Sequence, residues 1–248
     1  MAQTSKIEWT EVTWNPITGC TKISPGCRHC YAERMARRLA GRHGYPKRDP
    51  FRVTFHPDRL RQPLRWRKPS MVFVCSMSDF FHAEVHENHI LEVLAVIKQC
   101  PQHTFQILTK RSGRMAALSS KLGEWPPNVW MGVTVEAREC LSRIDDLKSV
   151  QAPVRFLSCE PLLEDLGALD LRGIDWVICG GESGPKSRPM QPEWARHIRD
   201  QCVAEGIPYF FKQWGGVNKK RNGRVLDGRT WDGMPLVESA AKGRQAIG

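Results

Sequence analysis

No cysteine lies close enough in sequence to join Cys20, Cys27 and Cys30 as a fourth sulfur, no second Cys-x2-Cys pair follows that of Cys27 and Cys30, and no stretch is long, apolar and uncharged. The first absence leaves a coordination position open on any metal group these thiols hold. The second argues against a closed zinc finger, which normally pairs two such hairpins. The third argues against a membrane-spanning helix. The N-terminus lacks the charged, apolar and small-residue succession of a secretory leader, and the cysteine total of nine is odd. Disulfide stapling is therefore not expected, and a reducing, cytoplasmic compartment is. There is no internal repeat beyond a strand–helix alternation.

Negative charge is scarce as well, with 26 acidic against 37 basic residues and a net charge of +11. The excess is segregated. Residues 34–68 carry twelve basic side chains against Asp49 and Asp58, the stretch 217–248 carries seven against three, and the remainder is neutral or slightly acidic. A basic insertion and a basic tail around a near-neutral body fit a polyanionic partner better than mere solubilisation.

After the cysteine loop, Tyr31, Met35 and Leu39 recur at i, i+4 and i+8 with arginines opposite, which predicts a helix that Gly41 ends. Residues 12–17 read as a strand ended by Pro16. From residue 71 onward, short apolar β-rich runs at 72–76, 104–109, 129–135, 154–158, 176–179 and 209–211 alternate with helical patterns at 87–100, 112–122, 137–148 and 192–205. Alternation of this kind predicts parallel strands joined by right-handed crossovers. A partial or closed (β/α) barrel over residues 1–216 is the expected fold, with a doubly wound open sheet as the alternative. Either places functional groups beyond the carboxyl ends of the strands. Those ends are polar in succession: Ser76-Met77-Ser78-Asp79, Thr109-Lys110-Arg111, Glu136, Ser158-Cys159-Glu160, Gly180-Gly181-Glu182 and Lys212-Gln213. Six strands delivering a charge or hydroxyl to one rim point to a shared pocket rather than to independent helix caps.

Residues 41–69 interrupt the alternation with Gly44 and a run of prolines, so a loop-rich insertion is expected there, with a strand at 53–55. Its aromatics Tyr45, Phe51, Phe55 and Trp66 have two readings: they stack nucleobases beside phosphate-binding arginines, or they anchor the insertion to the body. Residues 217–248, rich in Gly, Lys and Arg, read as a flexible tail.

The three-cysteine loop has three readings of its own. A structural zinc could be completed by His29 or His43; an open zinc site could support hydrolysis with a rim carboxylate as base; and an iron–sulfur cluster could be held by Cys20, Cys27 and Cys30 with one iron open. A loop that enters a helix inside a β/α series suits the third best, and zinc hydrolysis is weakest because three thiolates without histidine make a poor water-activating zinc.

The motifs Trp-Asn-Pro-x-Thr-Gly-Cys, Gly-Cys-x-x-Cys-Tyr-Ala, Ser-Met-Ser-Asp, Leu-Thr-Lys-Arg, Ser-x-Glu-Pro-Leu, Gly-Gly-Glu-Ser-Gly and Phe-Lys-Gln-Trp-Gly, running through residues 7–216, resemble a phage- and prophage-encoded family of radical S-adenosylmethionine (SAM)-like proteins of undefined activity. More distantly the chain is similar to spore photoproduct lyase, a DNA-repair member of the radical SAM enzymes. The resemblance implies a 4Fe–4S cluster on Cys20, Cys27 and Cys30 and SAM chelated at the fourth iron. It also implies a 5′-deoxyadenosyl radical, a reductant of flavodoxin or ferredoxin type and, if the chain is phage-encoded, the bacterial host cytoplasm. By position it implies Ser76, Ser78 and Asp79 near the amino group of SAM, Lys110 or Arg111 near its carboxylate, Glu136 or Glu160 at the ribose, and Gly180, Gly181 and Glu182 near the adenine. Asp79, Glu136 and Glu160 are the candidate catalytic carboxylates, and the basic insertion adds a nucleic acid or nucleotide as the expected substrate. Two features depart from the usual radical SAM pattern: six residues rather than three separate Cys20 from Cys27, and Gly-Gly-Glu comes late in the chain while Ser76–Asp79 holds its customary place. The alternative function is a non-catalytic nucleic-acid-binding module braced by zinc or a cluster.

Overall fold

The computed structural model describes residues 5, 7–122 and 124–236. Seven strands, β1 (Val12–Trp14), β4 (Met71–Val74), β5 (Thr104–Thr109), β6 (Val129–Thr134), β7 (Val154–Cys159), β8 (Trp176–Gly180) and β9 (Tyr209–Gln213), form one sheet in that order, every neighbouring pair parallel. Each new strand is added beside its predecessor, so the order never reverses as it must in a doubly wound sheet. The sheet curls into a half-barrel whose edge strands β1 and β9 do not meet. Helices α1 (Tyr31–Arg38), α2 (Pro57–Leu60), α3 (Glu87–Lys98), α4 (Ser112–Leu122), α5 (Arg143–Lys148), α6 (Pro192–Ala204) and α7 (Lys219–Asn222) and 3₁₀ turns at Pro25–Cys27, Pro63–Arg65 and Arg138–Cys140 complete the described elements, with β2 (Ile17–Thr18) and β3 (Thr54–Phe55) forming a separate antiparallel pair. No described helix is long and apolar enough to cross a membrane.

Side chains alternate across the strands, which splits the core in two. Val72, Ile107, Met131, Val133, Leu157, Val177 and Phe211 face α3, α4, α5 and α6 in the large cluster. Phe73, Trp130, Phe156, Trp176 and Phe210 face the concave side in a second, aromatic one. Gly132 leaves the slot that the Phe156 ring fills, since a Cβ there would sit 2.5 Å from the ring. The concave face is filled by the segment before β1: Trp9 enters it, its ring 4.8 Å from that of Phe73 and 6.1 Å from that of Trp176. Sequence periodicity carried no sign of this plug.

Several expected elements differ. The first strand stops at Trp14, because Pro16 cannot donate to a ladder, and the chain resumes as β2 against β3 of the insertion. β4 ends at Val74, where Cys75 adopts a left-handed φ of 58°. The helix expected over 137–148 breaks into a 3₁₀ turn, Arg138–Cys140, and α5, which begins with an inward-turned Arg143. α1 buries Ala32 and Ala36, leaving Tyr31 and Met35 exposed, the reverse of the face that periodicity favours. The insertion's aromatics serve mainly as anchors: Phe55 stacks on His89 at 3.9 Å, Trp66 meets His103 at 5.8 Å, and Tyr45 is buried under Arg59. The expected flexible tail also differs over residues 217–236. There α7 forms, Leu226 is buried, and the backbone around Trp231–Gly233 pairs antiparallel with β9. Residues 237–248 lie outside the described residues.

Candidate functional site

The concave-face register runs to the ends of β8 and β9 and continues past those of β5, β6 and β7. Two residues beyond Leu108, Thr134, Ser158 and Ile178 come Lys110, Glu136, Glu160 and Gly180, and two beyond Phe210 comes Lys212. Lys110 and Glu136 thus stand on neighbouring strands, while Lys212 on β9 reaches Glu160 past Gly180 of β8. Lys110 Nζ lies 3.3 Å from Glu136 Oε1, and Lys212 Nζ lies 2.9 Å from both oxygens of Glu160, which also accepts from Gln213. Glu136 is fully buried and accepts from Arg143 at 2.8 Å. Burial pushes its carboxyl up, but Lys110, Ser24 and Arg143 outweigh that and hold it below its ordinary value.

The cysteine loop lies across this rim and is fastened to it at both ends and in the middle. Gly19 pairs with Ser78, whose hydroxyl donates to the Gly19 carbonyl at 2.5 Å. Arg111 donates to Cys20 Sγ at 3.4 Å, to Thr21 O at 2.9 Å and to Asp79 Oδ2 at 3.0 Å. His82 accepts the Glu84 amide on Nδ1, so Nε2 donates to Thr21 Oγ1 at 2.8 Å. Ser24 donates to Glu136 and stands 3.7 Å from Cys27 Sγ. Gly26 crosses directly over Glu136, where a Cβ would sit 2.8 Å from Oε1. His29 donates from Nδ1 to Glu182 at 3.1 Å, Arg188 bridges Glu182 and the Pro25 carbonyl, and the Tyr31 hydroxyl donates to Ser76 O. Burial raises the Glu182 carboxyl, yet the hydrogen bonds from Arg188 and His29 bring it down to about 2.

The expected site residues are thus gathered on one rim in distinct situations. Asp79 accepts from Thr109 Oγ1, the Lys110 and Phe81 amides and Arg111, which uses its lone pairs within the protein. Ser76 donates to Asn15 Oδ1. Gly181 has a structural reason to be glycine, because a Cβ would lie 2.2 Å from Trp214 O. Ser24, His82, Arg143 and Arg188 belong to the site and were not singled out from sequence. Arg143 lies inside a helical pattern and Arg188 in a loop, and neither carries a local signal of its role.

The three loop thiols are half-buried, whereas Cys75, Cys100, Cys140, Cys159, Cys179 and Cys202 are buried and all nine are free. Burial drives Cys20 up to about 11, Asp79 adding to the shift and Arg111 opposing it, and burial likewise raises Cys30. Among the described residues no three His, Cys, Asp or Glu side chains converge as a single metal ion requires. A four-iron cluster takes one thiolate on each of three different irons, and the three half-buried thiols of one loop match that donor set in kind and number. An open cleft of about 390 Å³ adjoins Cys20, bounded by Thr21, Lys22, Glu33, Arg52 and Glu84.

Residues 4–235 match the family described as "Protein of unknown function (DUF5131)". No curated protein matches the chain. Among solved structures it is similar to a mutant of spore photoproduct lyase with dinucleoside spore photoproduct, at 12% identity and a TM-score of 0.46, covering 81% of this chain and 63% of that one. A second mutant of the lyase, with bound AdoMet and dinucleoside spore photoproduct, aligns at 11% identity and a TM-score of 0.45 over the same shares. The chain thus spans less than two thirds of the length of these proteins.

Proposed function

Because the chain belongs to the DUF5131 family, its chemistry is read from its own residues, and we propose that it is a radical SAM-type enzyme acting on nucleic acid or a nucleotide. The observation that carries this reading is the loop of three half-buried thiols fastened across the carboxyl ends of a parallel half-barrel, with Arg111 reaching Cys20 Sγ at 3.4 Å. Cys20, Cys27 and Cys30 would hold the 4Fe–4S cluster, which, reduced by a flavodoxin- or ferredoxin-type partner, supplies the electron that splits the sulfonium of bound SAM.

The chain's own contribution is positioning. Arg111, held by Asp79, fixes the first thiol, while Ser24 on Glu136 and His29 on Glu182 fix the loop around the second and third. Lys110 and Arg111 offer cations for the carboxylate of SAM, and Ser76, Ser78 and the Gly180–Glu182 turn line the remainder of the rim. Glu136 and Glu160 lie where the ribose hydroxyls are expected. Asp79, saturated by protein donors, serves through Arg111 rather than by direct contact. Below the rim the concave face is packed with Trp9 and its aromatic neighbours. Substrate would therefore meet the loop from outside the barrel, which suits a polymer better than an engulfed small molecule. The basic stretch supports the same class, since Lys47, Arg48, Arg52, Arg61, Arg65 and Arg67 are all exposed.

A second reading, a non-catalytic nucleic-acid-binding module, is favoured by one observation: each buried rim carboxylate is already ion-paired within the protein. Anaerobic reconstitution separates the two. The enzyme binds about four irons per chain, loses them in Cys20→Ser, Cys27→Ser and Cys30→Ser, and releases 5′-deoxyadenosine from SAM on reduction. Uptake of zinc alone, with SAM left intact, would leave the binding module as the function.

A further inference from the structure

Of the nine tryptophans, nine phenylalanines and three tyrosines, all of which fall among the described residues, one is exposed, and it follows the last loop cysteine directly. Tyr31 is 49% exposed, while Tyr45 and Tyr209 are buried. A half-exposed tyrosine offers a flat apolar face to a partner while its polar end stays hydrogen-bonded. This ring is also held in place, because its hydroxyl donates to the Ser76 carbonyl at the end of β4, so little ordering remains to be lost when a flat partner stacks on it.

The rest of the stripe is defined by helix geometry. Met35, at i+4, is exposed too, and Arg38, at i+7, continues the same face about 10 Å along the axis. Arg42 follows beyond the helix and donates to the Arg38 carbonyl. Arg38 and Arg42 are exposed and form no ion pair among the described residues. The nearby Glu33 is neutralised by Lys22 at 3.0 Å and Arg37 at 2.6 Å. The face thus presents a fixed ring, a flexible thioether and two guanidinium groups with no ion-pair partner among the described residues, and the helix's own Glu33 is neutralised. An apolar protein partner would explain the ring and Met35 but would have to bring two carboxylates to the far end. A nucleic-acid strand supplies both components in one polymer, π-faces for the ring and phosphates for the arginines.

The geometry points to Tyr31 as a base-stacking platform for single-stranded nucleic acid, with Arg38 and Arg42 meeting the adjacent phosphates. This rests on the nucleic-acid reading above and adds to it the residue that delivers a base beside Cys30. A duplex hides its base faces, so an unpaired or flipped base is the species bound.

The test is fluorescence anisotropy with labelled dT12 and U12 and with a 12-mer of abasic sites, all on the intact chain. Wild type is expected to bind dT12 or U12 with a salt-dependent affinity, the arm that binds more tightly telling DNA from RNA. Tyr31→Ala should weaken that binding about 10-fold, within the range of a lost base–aromatic stack. Tyr31→Phe should stay within about twofold, since the ring remains. The abasic probe should bind wild type and Tyr31→Ala equally, and Arg38→Ala or Arg42→Ala should each lower the salt slope by about one. If wild type binds dT12 and the abasic strand equally, or Tyr31→Ala binds dT12 as wild type does, the platform is refuted and the nucleic-acid reading survives. The comparison of probes on wild type needs no variant to fold. If neither dT12 nor U12 binds at low salt, the substrate class proposed above falls as well.

Discussion

Replacing Glu136 by Gln should destabilise the protein by about 3 kcal/mol, the lower end of the cost of breaking a buried ion pair from one side. Glu136 is wholly buried between two cations, Arg143 Nη1 at 2.8 Å and Lys110 Nζ at 3.3 Å, whose side chains are 11% and 19% exposed. Glutamine keeps the shape and one acceptor oxygen but leaves both positive charges uncompensated in a region of low polarisability. For a chain of this size that corresponds to a fall in Tm of about 6–12 °C. The effect has a definite pH dependence. The Glu136 carboxyl titrates below its ordinary value of 4.5 in the folded state, so its stabilisation is complete above that value and is lost as the pH falls through the folded one. The gap in Tm between wild type and Glu136→Gln, followed by circular dichroism, should therefore be widest near neutrality and shrink below about pH 4.5. A shift under about 2 °C at pH 7, or a gap that persists unchanged into acid, would refute the pairing on which the rim is built.

Gly26→Ala needs no left-handed backbone, yet its Cβ would meet Glu136 Oε1 at 2.8 Å. About 1–3 kcal/mol of overpacking cost and faster amide exchange across residues 20–30 are expected, whereas Gly113→Ala, which meets nothing within 4 Å, should stabilise by about 0.4–1 kcal/mol. Arg188→Gln removes the principal partner that holds Glu182 down at about 2. The stability Glu182 contributes above its ordinary value of 4.5 should then be lost at higher pH, so the acid-unfolding midpoint moves upward, and an unchanged midpoint would contradict the pairing. Trp9→Ala empties the concave face and should cost about 3–5 kcal/mol in denaturant unfolding, although Trp9 belongs to no strand of the sheet.

The half-barrel was legible in the sequence because a strand buried on both faces is a short β-branched and aromatic run bounded by polar residues, and six such runs separated by helical patterns leave few topologies. The rim was legible for the same reason: the polar residue that ends each apolar run sits at the carboxyl end of a strand. Less accessible was everything set by contact between distant segments. Trp9 has no periodic context to show that it fills a curled sheet. The face of α1 is chosen by the small residues Ala32 and Ala36, which let the helix approach the body closely, although Tyr31 and Met35 are the more hydrophobic pair. Trp231 and Leu226 hold residues 217–236 against β9 despite a composition that reads as tail.

Asp79, Glu136, Glu160 and Glu182 read from sequence as a row of acids available to a ligand, yet each faces a cation: Arg111, Lys110 with Arg143, Lys212, and Arg188. Three of these four pairs also touch the cysteine loop, through Cys20, Ser24 and His29. A charged group held by an opposite charge and by hydrogen bonds resists displacement far more than one held by water. Asp79, Glu136 and Glu182 therefore act first as fasteners of the loop above the strand ends, whereas Glu160 bonds only to Lys212 and Gln213 of β9. The loop itself presents the three thiols, half-buried and outside these ion pairs.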